Sequence, residues 1–341
     1  LPAKACELIQ LPDNVSKLLI VKPSSLGDII HSLPFLNAIS NKFPKAKIDW
    51  VISDTFASVL DGHPNINRLW SLNLSDWKKP SKAFTTAAEI LKLRKNLKAQ
   101  NYDITIDLQG LLRSGLITSF TKSPVRVGFL EARECSTSFY TDKVEGGLNV
   151  HAVDRYLMIA EALGAPAEEA SFNMLYEDYP LPFSDYAVIV PGARWVSKIW
   201  PSENFGTLAS LLPIKTVIVG SSADTALADI VEKHAMGNAV NLVGKTSLKE
   251  LAGIIRNSRL MITNDSGPMH IASAFNVPVY ALFGPTSPGL TGPYGKGHTI
   301  LKTEIECAPC FKRKCTDLRC LDAITLSDVL DAIKKNTSLS F

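Results

Sequence analysis

Residues Leu260 to Gly289 read LMITNDSGPMHIASAFNVPVYALFGPTSPG. Leu260–Thr263 is short and apolar and predicts a buried strand. Asn264–Gly267 predicts a polar turn, the residues from Pro268 a helix, and Val277–Phe283 a second strand. Proline suits the first helical turn, where its missing N–H is not needed and its φ is already helical. Asn264, Asp265, Ser266 and Gly267 are turn and capping residue types. The unpaired N–H groups of such a helix start, at the positive end of its dipole, attract anions. Gly284-Pro285-Thr286 then breaks the chain at the end of the second strand, on the rim where ligands of open α/β sheets bind. A strand–turn–helix without any ligand has the same local pattern, so the weight comes from matching units elsewhere.

Lys17–Lys22 (KLLIVK) is another buried-strand pattern, followed by the turn Pro23–Asp28 and a helical stretch carrying Ile29, Ile30, Leu33, Leu36 and Ile39. Pro34 predicts a kink early in that helix. Ile48–Ser53 is the next strand, so the chain opens as β-turn-α-β, the unit of a parallel sheet. Gly27 permits close backbone approach. Asp28, at the helix start, is either a cap worth about 1 kcal/mol or, facing a substrate hydroxyl, a general base. Leu91–Lys98 reads as a cationic helix end and Tyr102–Leu108 as a strand, after which Gln109–Gly115 carries Arg113. A guanidinium there can fork onto a phosphate or carboxylate or simply be solvated. Arg126–Phe129 and Ala132–Glu134 read as irregular, and Val150–Arg155 opens a helix that ends before Gly164.

Tyr176–Asp185, with two prolines and no periodicity, predicts a linker. Tyr186–Val190 then restarts the theme, and its turn, PGARWVSKIWP, is made cationic by Arg194 and Lys198; Trp195 and Trp200 are expected to pack. After the strand Lys215–Gly220 comes Asp224, placed equally well for a ribose hydroxyl or a helix cap. Asn241–Ser247 is a short strand and turn, and Leu248–Ile255 is helical. No G-x-G-x-x-G follows a strand and no G-x-x-x-x-G-K-[ST] occurs, which argues against dehydrogenases and P-loop enzymes.

At 341 residues, 46% hydrophobic and 20% charged, the chain is long enough for two ordinary globular domains. A formal net charge of +3 is too mild to argue for nucleic acid. No run of about 18 apolar residues occurs, and the first residues, LPAKACELIQLPDN, read as an extension rather than a signal peptide, so cytoplasmic residence is expected. Of six cysteines, Cys307, Cys310, Cys315 and Cys320 fall within 14 residues as C-x2-C-x4-C-x4-C. A reduced loop, a disulfide and a tetrahedral metal site all fit that spacing, though its second half lacks the usual tight pair.

KPSSLGDIIH (Lys22–His31), IDLQGLLR (Ile106–Arg113), HAVDR (His151–Arg155), KIWP (Lys198–Pro201), NDSGPMH (Asn264–His270) and FGPTSPG (Phe283–Gly289) together resemble the bacterial ADP-heptose lipopolysaccharide heptosyltransferases, glycosyltransferase family 9. The resemblance runs from about Lys17 to Lys335. HAVDR and Ala132–Glu134 look more like heptosyltransferase I than II, while the cysteine cluster is similar to that of other members, so both subtypes stay open. The resemblance implies an α/β GT-B fold: two Rossmann-like domains with parallel sheets facing across a cleft. Residues 1–16 would be an extension, 17–178 the acceptor domain and 179–341 the nucleotide-sugar domain, with the final helix packing back on the first.

It further implies an inverting, metal-independent enzyme with no cofactor, using ADP-heptose as donor and a lipid A–Kdo acceptor, in peripheral contact with the cytoplasmic face of the inner membrane. By resemblance Asp28 is the general base and Lys198 contacts the donor phosphates. Arg194, Asp224, Thr246, Asp265, Ser266, Gly267 and His270 fall on the donor side, and Ser25, Gly27, Gln109 and Arg113 on the acceptor side. Ala193 and Arg194 stand where the type I subgroup has hydroxyl residues, and Thr246 where a methionine is associated with the adenine. The alternatives are a transferase using another nucleotide sugar or acceptor, a non-catalytic nucleotide-sugar-binding protein, and a metal-sensing or redox role for the cysteines.

Overall fold

The computed structural model describes residues 8–166, 169–337 and 339; Cys6 and the first part of the expected N-terminal extension lie outside them. The chain divides into two compact units, residues 1–174 and 175–341. The division falls slightly before the expected 178/179 because Tyr176–Asp178 is fastened to the second unit. Glu177 N donates to Lys249 O (3.0 Å), Arg256 lies 4.4 Å over the Tyr176 ring, and Tyr176 meets Phe275 edge-on.

The first unit is a six-stranded sheet of β1 (Lys17–Val21), β2 (Lys47–Ser53), β3 (Arg68–Leu72), β4 (Ile104–Asp107), β5 (Val125–Phe129) and β6 (Asp142–Val144). Its strand order is β3-β2-β1-β4-β5-β6, and every pairing is parallel. The second unit holds β7 (Tyr186–Val190), β8 (Lys215–Ile218), β9 (Ala239–Asn241), β10 (Leu260–Asn264), β11 (Val279–Phe283) and β12 (Thr299–Lys302). Its order, β12-β11-β10-β7-β8-β9, is the same topology read from the other edge, again all parallel. Strands of this kind are covered by helices on both faces, which explains apolar runs such as LLIV in β1 and YAVIV in β7, fully buried where an alternating pattern would be half exposed. In each sheet the winding reverses between two central strands, β1 and β4 in the first and β7 and β10 in the second. Loops leaving the carboxyl ends of such a pair frame the natural ligand crevice.

Five strands depart from the sequence reading. The stretch Arg126–Phe129, read as irregular, lies in β5, where Arg126 and Gly128 interrupt the apolar pattern; a Cβ at Gly128 would lie 2.3 Å from the Tyr140 ring. The short strands β3, β6 and β12 are half-buried and were not anticipated, and β9 runs Ala239–Asn241, ending where the sequence reading had its strand begin. The cationic helix begins earlier than Leu91 and runs Ala83–Lys98. Pro34 does more than kink its helix: the chain forms Leu26–His31 and Leu33–Lys42 on either side of Ser32. Pro34 then sits at the start of the second helix, where no N–H is required.

The cores are distinct. Leu19, Val21, Val51, Leu97, Tyr102 and Ile117 pack together in the first unit, and Ile189, Trp200, Phe205, Ile262 and Leu282 in the second. The final helix, Leu326–Asn336, buries Val329 and Ile333 in that second core. Its apolar stripe is therefore used within the second unit, where the sequence reading had it packing back on the first.

Candidate active site

At the first switch point the turn after β1 carries Ser25, Gly27 and Asp28. Asp28 is the third residue of the helix Leu26–His31, and its Oδ2 accepts from Ser25 N (2.9 Å) and Ser25 Oγ (2.7 Å). Capping thus occupies one carboxylate oxygen. The other, Oδ1, lies 3.7 Å from the ammonium of Lys22. Lys22 is only 2% exposed; its Nζ donates to Leu108 O (3.1 Å) and stands 5.0 Å from the centre of the Tyr156 ring. Burial drives the Lys22 ammonium towards lower pKa, but the Asp28 carboxylate and Tyr156 outweigh it and leave the group above its ordinary value. A cation held there favours the ionised, proton-accepting form of the carboxylate beside it. Lys22 was read in the sequence as the charged end of a strand and as the first residue of the KPSSLGDIIH motif, with no role of its own. Tyr156, one turn into the helix Ala152–Ala162, gave no sequence signal beyond apolar periodicity.

The facing turn, after β4, is built on Asp107. This buried carboxylate accepts from Gln109 N (2.8 Å), Gly110 N (3.0 Å) and Tyr140 Oη (2.7 Å), and burial raises its pKa against those donors. Gly110 is required: its φ is +66°, and a Cβ would lie 3.2 Å from Ala132 Cβ. Gln109 turns back to accept from Ser24 N (3.4 Å), so the structure brings Gln109, Ser25, Gly27 and Asp28 to one place. Arg113 is half-buried at the start of the helix Leu112–Phe120 and makes no hydrogen bond or ion pair among the described residues. The two ends of the HAVDR motif quoted for the resemblance make structural contacts. His151 caps its helix by accepting from Val153 N (3.2 Å). Arg155 lies 4.3 Å over Phe129 and 3.3 Å from Glu131, whose carboxylate also accepts from Gly146 N and Gly147 N. Desolvation pushes Glu131 up, but those amides and Arg155 bring it below its ordinary range.

At the second switch point Lys198 Nζ donates to Asp265 Oδ2 (2.6 Å), and Thr286 Oγ1 donates to the same oxygen (2.6 Å). Asp265 is 6% exposed. Lys198 also lies 4.4 Å over the ring of Trp195. Asn264 ties the two turns together, accepting from Trp200 N (3.0 Å) and donating to Pro191 O (2.7 Å). Trp200 packs in the core as expected, whereas Trp195 is half-buried beneath Lys198 and Arg313. Ser266 occupies the N-cap position of the helix Gly267–Ala274, but its hydroxyl lies 3.0 Å from Thr263 Oγ1 and bonds no helix N–H. The first N–H groups of a helix have no carbonyl partners within it and stay available to an anion. Asp265 thus holds the Lys198 ammonium in place beside this helix start. His270 sits buried one turn into the helix. Thr286 was seen in the sequence as part of a strand-ending turn and of the FGPTSPG motif, with no role of its own.

Asp224 adjoins this cluster. Its Oδ2 accepts from Ser221 N and Ser221 Oγ (both 2.8 Å), and its Oδ1 sits so close to the next turn that a Cβ on Gly192 would approach it to 2.2 Å. Thr246, half-buried, immediately precedes the cap Ser247. Arg194 is exposed and has no hydrogen bond or ion pair among the described residues, so its charge is free to meet a ligand. The turns after β7, β8 and β10 therefore converge on one rim. Cys307, Cys310, Cys315 and Cys320 are free thiols, and among the described residues no group of three or more His, Cys, Asp or Glu side chains is arranged to hold a metal ion. Burial and the three neighbouring thiols raise the Cys320 pKa. This segment is latched to the cluster by Ser197 Oγ donating to Lys312 O (2.6 Å) and Phe311 N donating to Pro285 O (2.8 Å).

Comparison with known proteins matches residues 90–320 to Glycosyltransferase family 9 (heptosyltransferase). Lipopolysaccharide heptosyltransferase 1 of Pseudomonas aeruginosa is 33% identical over 312 residues, covering 88% of this chain and 87% of that one. Among solved structures, the E. coli heptosyltransferase WaaC with ADP superposes with a TM-score of 0.78 at 28% identity, covering 94% of this chain and all of that one (100%). WaaC with ADP-2-deoxy-2-fluoro heptose gives 0.77 at 27%, covering 94% and 100%.

Proposed function

The chain belongs to glycosyltransferase family 9, the heptosyltransferases, and from that premise we propose that it transfers heptose from ADP-L-glycero-D-manno-heptose to the Kdo/heptose inner core of lipopolysaccharide, inverting the anomeric centre. The fold is GT-B, two Rossmann-like units. In this reading the second unit holds the donor: Lys198 and Arg194 meet the diphosphate with the amides of Ser266 and Gly267, and Asp224 takes the ribose, near Thr246 and His270. The first unit takes the acceptor through Asp28, Ser25, Gly27, Gln109 and Arg113.

The acceptor hydroxyl gives its proton to Asp28 as its oxygen bonds to the anomeric carbon. The bond from that carbon to the phosphate oxygen breaks, and ADP leaves with the electron pair. Preorganised cations and amides aimed at the departing diphosphate are worth several kcal/mol in a water-poor site. They meet its charge without a metal ion.

The observation that carries this reading is the contrast between the two switch points. One offers a carboxylate beside a buried counter-cation, and the other an ammonium anchored at a helix start. Asp28→Asn keeps an oxygen for Ser25 but not the basicity. It is expected to fold and bind ADP normally while losing about 100-fold or more in transfer, read as product mass with ADP-heptose and lipid A–Kdo. Undiminished transfer would remove the base. The WaaC structures hold ADP and an ADP-heptose analogue, which supports this donor. A product of another mass from a nucleotide-sugar panel would favour a different sugar, the reading to which Thr246 and Arg194 lend themselves. The lipid-borne acceptor places the working enzyme at the cytoplasmic face of the inner membrane. Among the described residues no helix is long and apolar enough to cross a membrane; the contact in this reading is peripheral.

A further inference from the structure

The helix Ala83–Lys98 has two apolar faces. Leu93 and Leu97, with Ile90 beside them, pack against Leu19, Val21, Val51 and Ile117. On the opposite side Phe84, Ala88 and Leu91, spaced four and three residues apart, form a second stripe. It is open: Phe84 is 93% exposed and Leu91 64%. Flanking and extending the stripe are Lys82, Lys92, Arg94, Lys95 and Lys98, all exposed, none paired with a carboxylate among the described residues. The helix contains a single acid, Glu89, which accepts from Trp77 Nε1 (3.3 Å).

The topology fixes which end of the sheet this surface serves. The chain leaves β3 at its carboxyl end and returns to the amino end of the parallel β4 through this helix. Phe84 therefore lies towards the rim from which the Asp28 turn also projects.

We propose that this stripe is a docking surface for an anionic phospholipid bilayer, with Phe84 and Leu91 seated among the acyl chains and the cations on phosphate headgroups. An interfacial helix combines an apolar face with flanking basic residues in this way, and each cation near such a surface adds attraction. Lysine stems lie along the apolar boundary while their ammonium groups reach the headgroups. A protein partner fits less well, because two large side chains fall far short of the roughly 1,000 Å² that a specific interface buries. A second copy of this chain would set cations against cations. The significance of the surface rests on the lipid-borne acceptor proposed above, but docking and transfer are read separately.

The test is cosedimentation of the full chain with vesicles of phosphatidylethanolamine and phosphatidylglycerol (7:3), compared with phosphatidylcholine alone, at low and raised salt. Wild type is expected to bind the anionic vesicles at least tenfold more tightly, and to release as salt rises. Phe84→Ser with Leu91→Ser should weaken binding about tenfold, and Lys95→Gln or Lys98→Gln about fivefold each, all with unchanged thermal melting. Transfer to a soluble Kdo acceptor should be unaltered in the Phe84/Leu91 variant, while transfer to vesicle-embedded acceptor falls. Equal binding by variants and wild type, no preference for anionic vesicles, or a dimer in solution that the Phe84/Leu91 variant dissolves would each overturn the proposal. Vesicle binding as expected with no heptose transfer by wild type would leave the docking surface standing and sink the proposed function instead.

Discussion

Asp28 shows how one side chain can hold two offices. As the third residue of its helix it takes two hydrogen bonds from Ser25 on one oxygen, and the other faces Lys22. Lys22→Met removes the facing charge, so the carboxylate holds its proton to higher pH. The acidic limb of the pH profile of kcat/KM should move up by about one unit, while ADP affinity is unchanged. Because Lys22 titrates above 10.5 in the fold, its contribution to stability is complete below 10.5 and is lost as pH rises through the folded value. Lys198→Met strands the buried Asp265 with only Thr286, an uncompensated charge that costs about 3 kcal/mol in a thermal or denaturant melt. Adding Asp265→Asn should restore most of that stability without restoring transfer, which separates the structural share of the pair from its share in the chemistry.

At the level of elements, the turns are held by close approach as much as by hydrogen bonds. Gly192→Ala drives a Cβ to 2.2 Å from Asp224 Oδ1. It should destabilise by about 1–3 kcal/mol and weaken ADP binding severalfold in titration, whereas Gly289→Ala, whose nearest neighbour is 3.7 Å away, should change neither. The same turns explain what could be read in advance. Strands β1, β2, β4, β7, β8 and β10 were legible because burial on both faces writes an unbroken apolar run. Strands β3, β6 and β12 were not, since outer strands are half-buried and carry mixed residues such as Arg68, Lys143 and Thr299. Position past a strand end pointed to Asp28, Lys198 and Asp265, with the family resemblance supplying their roles. The roles of Lys22, Tyr156 and Thr286 stayed hidden: a buried lysine, a core-facing tyrosine and a turn threonine look ordinary until the fold sets Lys22 beside Asp28, Tyr156 beside Lys22 and Thr286 beside Asp265.

For the molecule as a whole, two sheets with separate cores predict separable responses. ADP at 100 times its Kd should add about 2.7 kcal/mol to the stability of the unit that binds it. Hydrogen exchange should slow across residues 191–199, 221–225 and 264–270, leaving residues 22–28 unaffected. If Lys198, Arg194 and the helix amides meet the leaving group as proposed, transfer in excess EDTA should proceed at its ordinary rate; loss of activity restored by added divalent cation would require a different account of the diphosphate.

The seam at Tyr176–Asp178 carries a practical corollary for anyone dividing the gene to express each half alone. Glu177 crosses the helix Leu248–Arg256 so closely that a methyl on Gly253 would meet its carbonyl oxygen at 2.0 Å, and Tyr176 is clasped by Arg256 and Phe275. A cut placed in the proline-rich stretch after Asp178, where composition invites it, would strip the downstream half of this buckle and bare the aromatic and glycine faces beneath. Cutting before Leu175 keeps the clasp with the piece it closes.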